Sequence, residues 1–234
     1  MPARKSNRLF HAWALLLLAT VPVTAGQRAT AQAPPPPAAR FVVVLDAAHG
    51  GDDPGGRIGS LNEKAFTLAL NVRLRSLLSA RGFQVVTTRE QDAAVDPTRR
   101  AEIANRAKAV ACLSLHASES GSGAHLFVSS LTPAPSTRFA AWKTAQAAFT
   151  TRSLALAGVL NSALLNAGMT VTLGRTALLT VDSMACPAVA VEIAPERDAD
   201  HTITADLDNP QYQARVAEAL AAGLLEWRTE GRQQ

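Results

Sequence analysis

The sequence is poor in cysteine, with Cys112 and Cys186 alone among 234 residues, and no histidine stands beside either at zinc-ligand spacing. A cysteine-built structural zinc site is therefore excluded. Both cysteines fall in or just ahead of apolar, strand-like runs, which favours buried small hydrophobes over a bonded pair; sequence alone leaves open whether they are joined. Acidic residues are missing from the first 31 positions, where Arg4, Lys5, Arg8 and Arg28 lie. Taking those four from the 23 basic residues leaves 19, against 19 acidic ones, so the compositional case for a nucleic-acid partner disappears. A long apolar run is also lacking. Ala12 to Val23 supplies about twelve residues where roughly 20 are needed to span a bilayer.

Preceded by basic residues and followed by small ones, that apolar stretch reads as an export signal over residues 1–31. Ala29-Thr30-Ala31 is the preferred cleavage site and Ala25 the alternative. Residues 32–40 follow as a proline-rich spacer, extended through Pro34 to Pro37. The expected destination is the periplasm or cell envelope. The folded domain is expected over 41–229, with a polar tail at 230–234, and with 47% apolar residues the chain can bury a sizeable core.

Several catalytic signatures are absent. There is no Gly-x-Ser-x-Gly elbow, no Gly-x-Gly-x-x-Gly fingerprint and no helical His-Glu-x-x-His, and Gly56 is followed by Arg57-Ile58 rather than by a phosphate-binding Lys-Ser/Thr. A paired-carboxylate glycosidase would leave the histidines without a role.

What is present begins with Phe41-Val-Val-Val-Leu45, a buried strand that ends in Asp46 and turns through a glycine-rich loop carrying His49. Apolar spacings of three and four predict a helix from Ser60 to about Arg81, and Phe83 to Thr88 a second strand. Thr98 opens another helix, and Val110 to Leu115 form a strand ending beside His116. A short strand at His125 to Ser129, a helix over Thr137 to Ala167 interrupted at most near Thr150-Thr151, a weak strand at Arg175 to Val181 and an apolar strand at Pro187 to Glu192 follow. A closing helix runs from Pro210 to Trp227. This alternation predicts an α/β fold: a mainly parallel, twisted single sheet of about six strands, flanked by helices.

In such a sheet the ligand crevice lies beyond the carboxyl ends of the strands, where His49, His116 and Glu192 fall. Glu63 is tied to the same edge by the short glycine loop. Two imidazoles and one carboxylate make a three-ligand zinc set with a fourth position open, and the carboxylate left over is suited to act as a base. Singly the residues have plainer readings: Ser60-x-x-Glu63 matches a capping box, and either histidine can be an ordinary one. Glu192 is harder to explain that way, because a carboxylate directly after Pro-Ala-Val-Ala-Val must be paired or bound.

The order of segments resembles the zinc-dependent N-acetylmuramoyl-L-alanine amidase family with an α/β catalytic domain. The matching stretches are V-V-L-D-A-A-H-G-G-D-D-P-G-G at Val43 to Gly56, N-E-K at Asn62 to Lys64 and T-R at Thr88-Arg89. R-A-E-I-A-N at Arg100 to Asn105, L-S-L-H-A-S at Leu113 to Ser118 and P-A-V-A-V-E at Pro187 to Glu192 complete them. The resemblance implies Zn2+ held by His49, Glu63 and His116, with Glu192 as catalytic acid/base. It also implies hydrolysis of the bond between N-acetylmuramic acid and L-alanine in peptidoglycan. The chain departs from the family at Ala48, where glycine is usual, at Ser118, and through Ile193 to Arg197. A catalytically silent wall-binding domain and a zinc peptidase acting on another wall-peptide bond are the alternative expectations. A monomer is expected, and no activator protein is identified.

Overall fold

A computed structural model describes residues 41–136 and 141–231. The expected signal and spacer, and the last three residues of the tail, lie outside the described residues. The chain begins with β1 (Val42–Ala47), whose Val43, Val44 and Leu45 are fully buried, as a strand covered on both faces requires. A small hairpin of β2 (Arg57–Ile58) and β3 (Leu61–Asn62) leads into α1 (Glu63–Ala80), followed by β4 (Gln84–Thr87), α2 (Pro97–Ala107) and β5 (Ala111–Ala117). Next come β6 (Ala124–Ser129), a 3-10 segment at Trp142–Ala148, α3 (Thr150–Asn166), β7 (Val171–Thr176) and the single turn α4 (Leu179–Asp182). The chain closes with β8 (Ala188–Ile193), the short pair β9 (Glu196–Arg197) and β10 (Ile203–Ala205), and α5 (Pro210–Glu230).

The six-stranded sheet has the order β4-β1-β5-β8-β6-β7. β4, β1, β5 and β8 run parallel, whereas β6 is antiparallel to β8, and β7 runs with β6. One edge of the sheet therefore gathers the carboxyl ends of four strands and the amino ends of two. Because side chains alternate between faces, Leu113, Leu115, Val191 and Leu126 point to one side, where α1, α3 and α5 supply Leu70, Leu74, Leu160 and Leu220. The other side carries Val44, Cys112 and Ala190 and is covered by α2 and α4. At the ligand edge this second face turns polar, with Asp46 and Ser114 in register on β1 and β5 and His116 two residues further along.

Local chemistry explains several boundaries. The Asp96 carboxylate accepts from the amide of Arg99 at 3.0 Å and Pro97 opens α2; the Asn209 side chain caps α5 in the same way ahead of Pro210. Four expectations need correction. Ser60 lies in the turn between β2 and β3, and α1 starts at Glu63 with Asn62 as the capping residue. The weak strand expected at Arg175 to Val181 lies earlier, at Val171–Thr176; as an exposed edge strand it lacks the apolar alternation that would mark it. Cys112 and Cys186 are bonded, with Cα atoms 6.3 Å apart, a proximity that only the pairing of β5 with β8 creates. Of the helix expected over 137–167, residues 137–140 lie outside the described residues, and the rest is a continuous α-helix only over Thr150–Asn166. Gln146, in the 3-10 segment before it, turns inward to donate to the carbonyl oxygens of Met184 at 2.8 Å and Cys186 at 3.0 Å.

Candidate metal centre

Two residues beyond β1, His49 adopts a φ of 60°. A left-handed residue with a side chain costs about 1–2 kcal/mol, so its surroundings must hold it. Two buried arginines do so by taking consecutive carbonyl oxygens. Arg89 donates to those of Ala47 and Ala48 at 2.9 and 3.0 Å, and Arg100 to that of His49 at 2.7 Å. Ala48 keeps a negative φ, so alanine is unstrained there.

Glu63, at the start of α1, is buried. Its Oε2 accepts from the amide of Gly56 at 2.9 Å and its Oε1 from the amide of Ala117 at 3.2 Å. The capping-box reading of this residue is thereby replaced: the carboxylate faces two histidines, not the backbone of Ser60. His49 Nε2 lies 3.1 Å from Oε2, and His116 Nδ1, on β5, lies 2.9 Å from Oε1. The two rings are 5.7 Å apart and nearly perpendicular, and the three ligand atoms lie within 4.8 Å of one another. Gly55 borders the cluster with a φ of +66°; a Cβ there would come within 2.7 Å of both Glu63 Oε2 and His49 Cδ2. Burial alone would push the Glu63 carboxyl up. The hydrogen bonds from His116 and the Gly56 amide, with positive charge on either imidazole, outweigh it and hold the group below its ordinary value.

The outer partners of the rings can take the ring hydrogens and so free the inner nitrogens to bind a metal ion. His49 Nδ1 lies 2.8 Å from Asp53 Oδ2, so the ring hydrogen is donated outward from Nδ1. His116 Nε2 lies 3.4 Å from Ser114 Oγ, whose own hydrogen goes to Asp46 Oδ2 at 2.7 Å. The hydroxyl oxygen is left to accept, so a metal ion drawing on Nδ1 would leave the ring hydrogen of His116 on Nε2, aimed at Ser114. Two imidazole nitrogens and a carboxylate thus face one another. With the inner ring nitrogens free of hydrogen, this donor set can hold a metal ion such as zinc with one position left open.

Glu192 is half-buried on β8, in register with His116 on β5 and His125 on β6. Residues in register on adjoining strands leave the same face, so Glu192 stands one strand spacing, about 4.8 Å, from the backbone of His116. No hydrogen bond or ion pair ties its carboxylate to another described residue. All four residues singled out in the sequence thus gather at one edge of the sheet.

The sequence profile of the N-acetylmuramoyl-L-alanine amidase family matches residues 43–226, a span that includes both histidines and both glutamates. The chain belongs to this family. Among solved structures, the catalytic domain of CwlV, an N-acetylmuramoyl-L-alanine amidase from Bacillus (Paenibacillus) polymyxa var. colistinus, is similar with a TM-score of 0.63 and 27% identity. The match covers 81% of this chain and 98% of that one. The amidase AmiC2 of Nostoc punctiforme is similar with a TM-score of 0.62 and 25% identity, over 81% and 97% of the two chains. The CwlD amidase of Clostridioides difficile, solved in complex with the GerS lipoprotein, shares the fold with a TM-score of 0.62 at 20% identity, over 81% and 99%. No curated protein matches the chain.

Sequence reasoning about this amidase did not find the roles of Asp46, Asp53 and Ser114, nor the clamp formed by Arg89 and Arg100. Arg89, Arg100 and Ser114 lie inside the matching segments, but a segment match says nothing about which atoms meet. The family departure at Ile193 to Arg197 turns into the β9–β10 pair. There Arg197 donates to the carbonyl oxygens of Gly121 at 3.3 Å and His201 at 3.0 Å, bracing the loop that follows His116. Beside it lies a polar groove of about 650 Å³, lined by Glu119, Ser122, Thr170 and Asp198 among others.

Proposed function

We propose that this amidase is a zinc-dependent peptidoglycan hydrolase that cleaves the amide bond between N-acetylmuramic acid and L-alanine of the stem peptide. The observation that carries the reading is the convergence of two imidazole nitrogens on a buried carboxylate. His49, Glu63 and His116 would hold the ion. Bound there, zinc supplies Lewis-acid polarisation of the amide carbonyl and lowers the pKa of water to about 7. Asp53 and Ser114 orient the two rings, and the Gly56 and Ala117 amides fix the carboxylate plane of Glu63. Glu192, without a partner among the described residues, is the acid/base: its carboxylate takes the proton of the attacking water and delivers it to the nitrogen of the departing L-alanine. That amine leaves only when protonated, so one group serves both transfers.

The envelope is the site of action in this reading. Residues 1–31 direct export, 32–40 space the domain from the membrane before cleavage, and 41–229 form the catalytic domain. The bonded Cys112–Cys186 pair supports an oxidising compartment. Digestion of purified peptidoglycan with the chain from Gln32 to Gln234, followed by mass spectrometry, tests the reaction against a chelated control. Peptides with a free L-alanine amine, and glycan freed of peptide, are expected. Cleavage only within the stem peptide would instead make it a wall peptidase, and zinc-loaded protein that releases nothing would overturn the hydrolase reading.

A further inference from the structure

We propose that Asp46 and Ser114 form a positioning chain that fixes His116 for the metal, and that Arg100 couples this chain to the backbone of His49. The inference rests on the metal reading of the His49, Glu63 and His116 cluster. Asp46 is 1% exposed near the ligand edge of the sheet, a costly place for a carboxylate. Its Oδ1 accepts from Thr88 Oγ1 and from Arg100 Nη1, each at 2.7 Å, and its Oδ2 accepts from Ser114 Oγ at 2.7 Å. The Ser114 hydroxyl has one hydrogen, and Asp46 takes it. Its oxygen can therefore meet His116 Nε2 only as an acceptor, which favours the ring hydrogen on Nε2 and leaves Nδ1, beside Glu63, for the metal.

Arg100 closes the arrangement. While Nη1 holds Asp46 and the carbonyl of Ala47, Nη2 donates to the carbonyl of His49 at 2.7 Å, and Nε donates to that of Val95 at 2.7 Å. One guanidinium thus touches the loop that presents the first histidine and the carboxylate that orients the second. A purely structural ion pair between β1 and α2 would require neither the Ser114 contact nor the His49 contact.

Zinc affinity, measured on the full chain by competition with a chelating indicator, tests the proposal. Zinc binding by the wild type is established first; a chain that binds none refutes the metal reading and this inference with it. With wild-type binding in hand, Ser114→Ala and Asp46→Asn should each weaken zinc 10–100-fold. The double variant should lose no more than the weaker-binding single one, because both act through the same ring. Losses that multiply, or a Ser114→Ala affinity within twofold of wild type, would overturn the proposal and leave the metal reading standing. Asp46→Asn strands the buried Arg100 charge, so the fold is at risk; Ser114→Ala keeps that pair. In the zinc-loaded wild type the His116 Nε2 proton should give a slowly exchanging NMR signal that Ser114→Ala abolishes, and its persistence would also count against the chain. Failure of the wild type to cleave peptidoglycan, with these couplings intact, would refute only the amidase assignment.

Discussion

Breaking the Cys112–Cys186 bond should cost the protein much of its stability and little of its chemistry. The two cysteines are 74 residues apart in sequence, so the bond closes a long loop in the unfolded chain. The chain-entropy relation gives about 15 cal/mol/K for a loop of that length, or about 4.4 kcal/mol at room temperature. Against a typical total of about 5–15 kcal/mol this is a large share, and at roughly 2–4 °C per kcal/mol for a domain of this size it corresponds to a fall in Tm of about 9–18 °C. The bond ties β5, which carries His116, to the segment entering β8, which carries Glu192. Their register is also held by a full parallel ladder from Cys112–Ala188 to Ala117–Ile193. The site should therefore survive reduction while the fold does. Thermal unfolding of oxidised and reduced protein, with thiols counted in each, checks the stability; turnover well below the lower Tm checks the site. A fully reduced protein whose Tm falls by less than about 2 °C, or free thiols in the native protein purified without reductant, would refute the reasoning.

Glu192→Ala should abolish peptidoglycan turnover and leave zinc affinity unchanged, as measured by digestion and chelator competition; residual turnover would assign the proton transfers elsewhere. Gly55→Ala places a Cβ where Glu63 Oε2 and His49 Cδ2 already lie, at a φ that costs alanine about 1 kcal/mol. Zinc affinity should fall by roughly 10–100-fold with the circular dichroism spectrum retained. Tyr212, the single tyrosine, is buried and donates to the Ala194 carbonyl at 2.6 Å; burial, with the nearby Glu196 charge, raises its pKa above the ordinary value of about 10. Because the folded value is the higher one, this contribution to stability is whole below about pH 10 and is lost as pH rises beyond it. Phenolate absorbance should stay flat through that pH and rise only with unfolding, whereas ordinary titration with the fold intact would contradict the burial argument.

The sequence by itself determined the architecture and brought four candidate residues to one edge of the sheet. Val43 to Leu45 and Val189 to Val191 are apolar on both faces and demand a covered parallel sheet, and a histidine or glutamate just beyond such a run must emerge at the sheet edge. Periodicity also located α1 and α5, since their apolar spacing comes from the same contacts that bury them. It did not reveal β7, whose exposed edge position leaves no such pattern. Nor did it separate Glu63 as ligand from Glu63 as cap, because Ser-x-x-Glu spacing is the same for both and only the β2–β3 hairpin moves Ser60 out of capping range. Tertiary structure alone decided the disulfide, the arginine clamp on the His49 loop and the Asp46–Ser114 link to His116. Each of these depends on strand register, which brings together side chains dozens of residues apart, and register is set by the packing of the whole sheet rather than by any local run of residues.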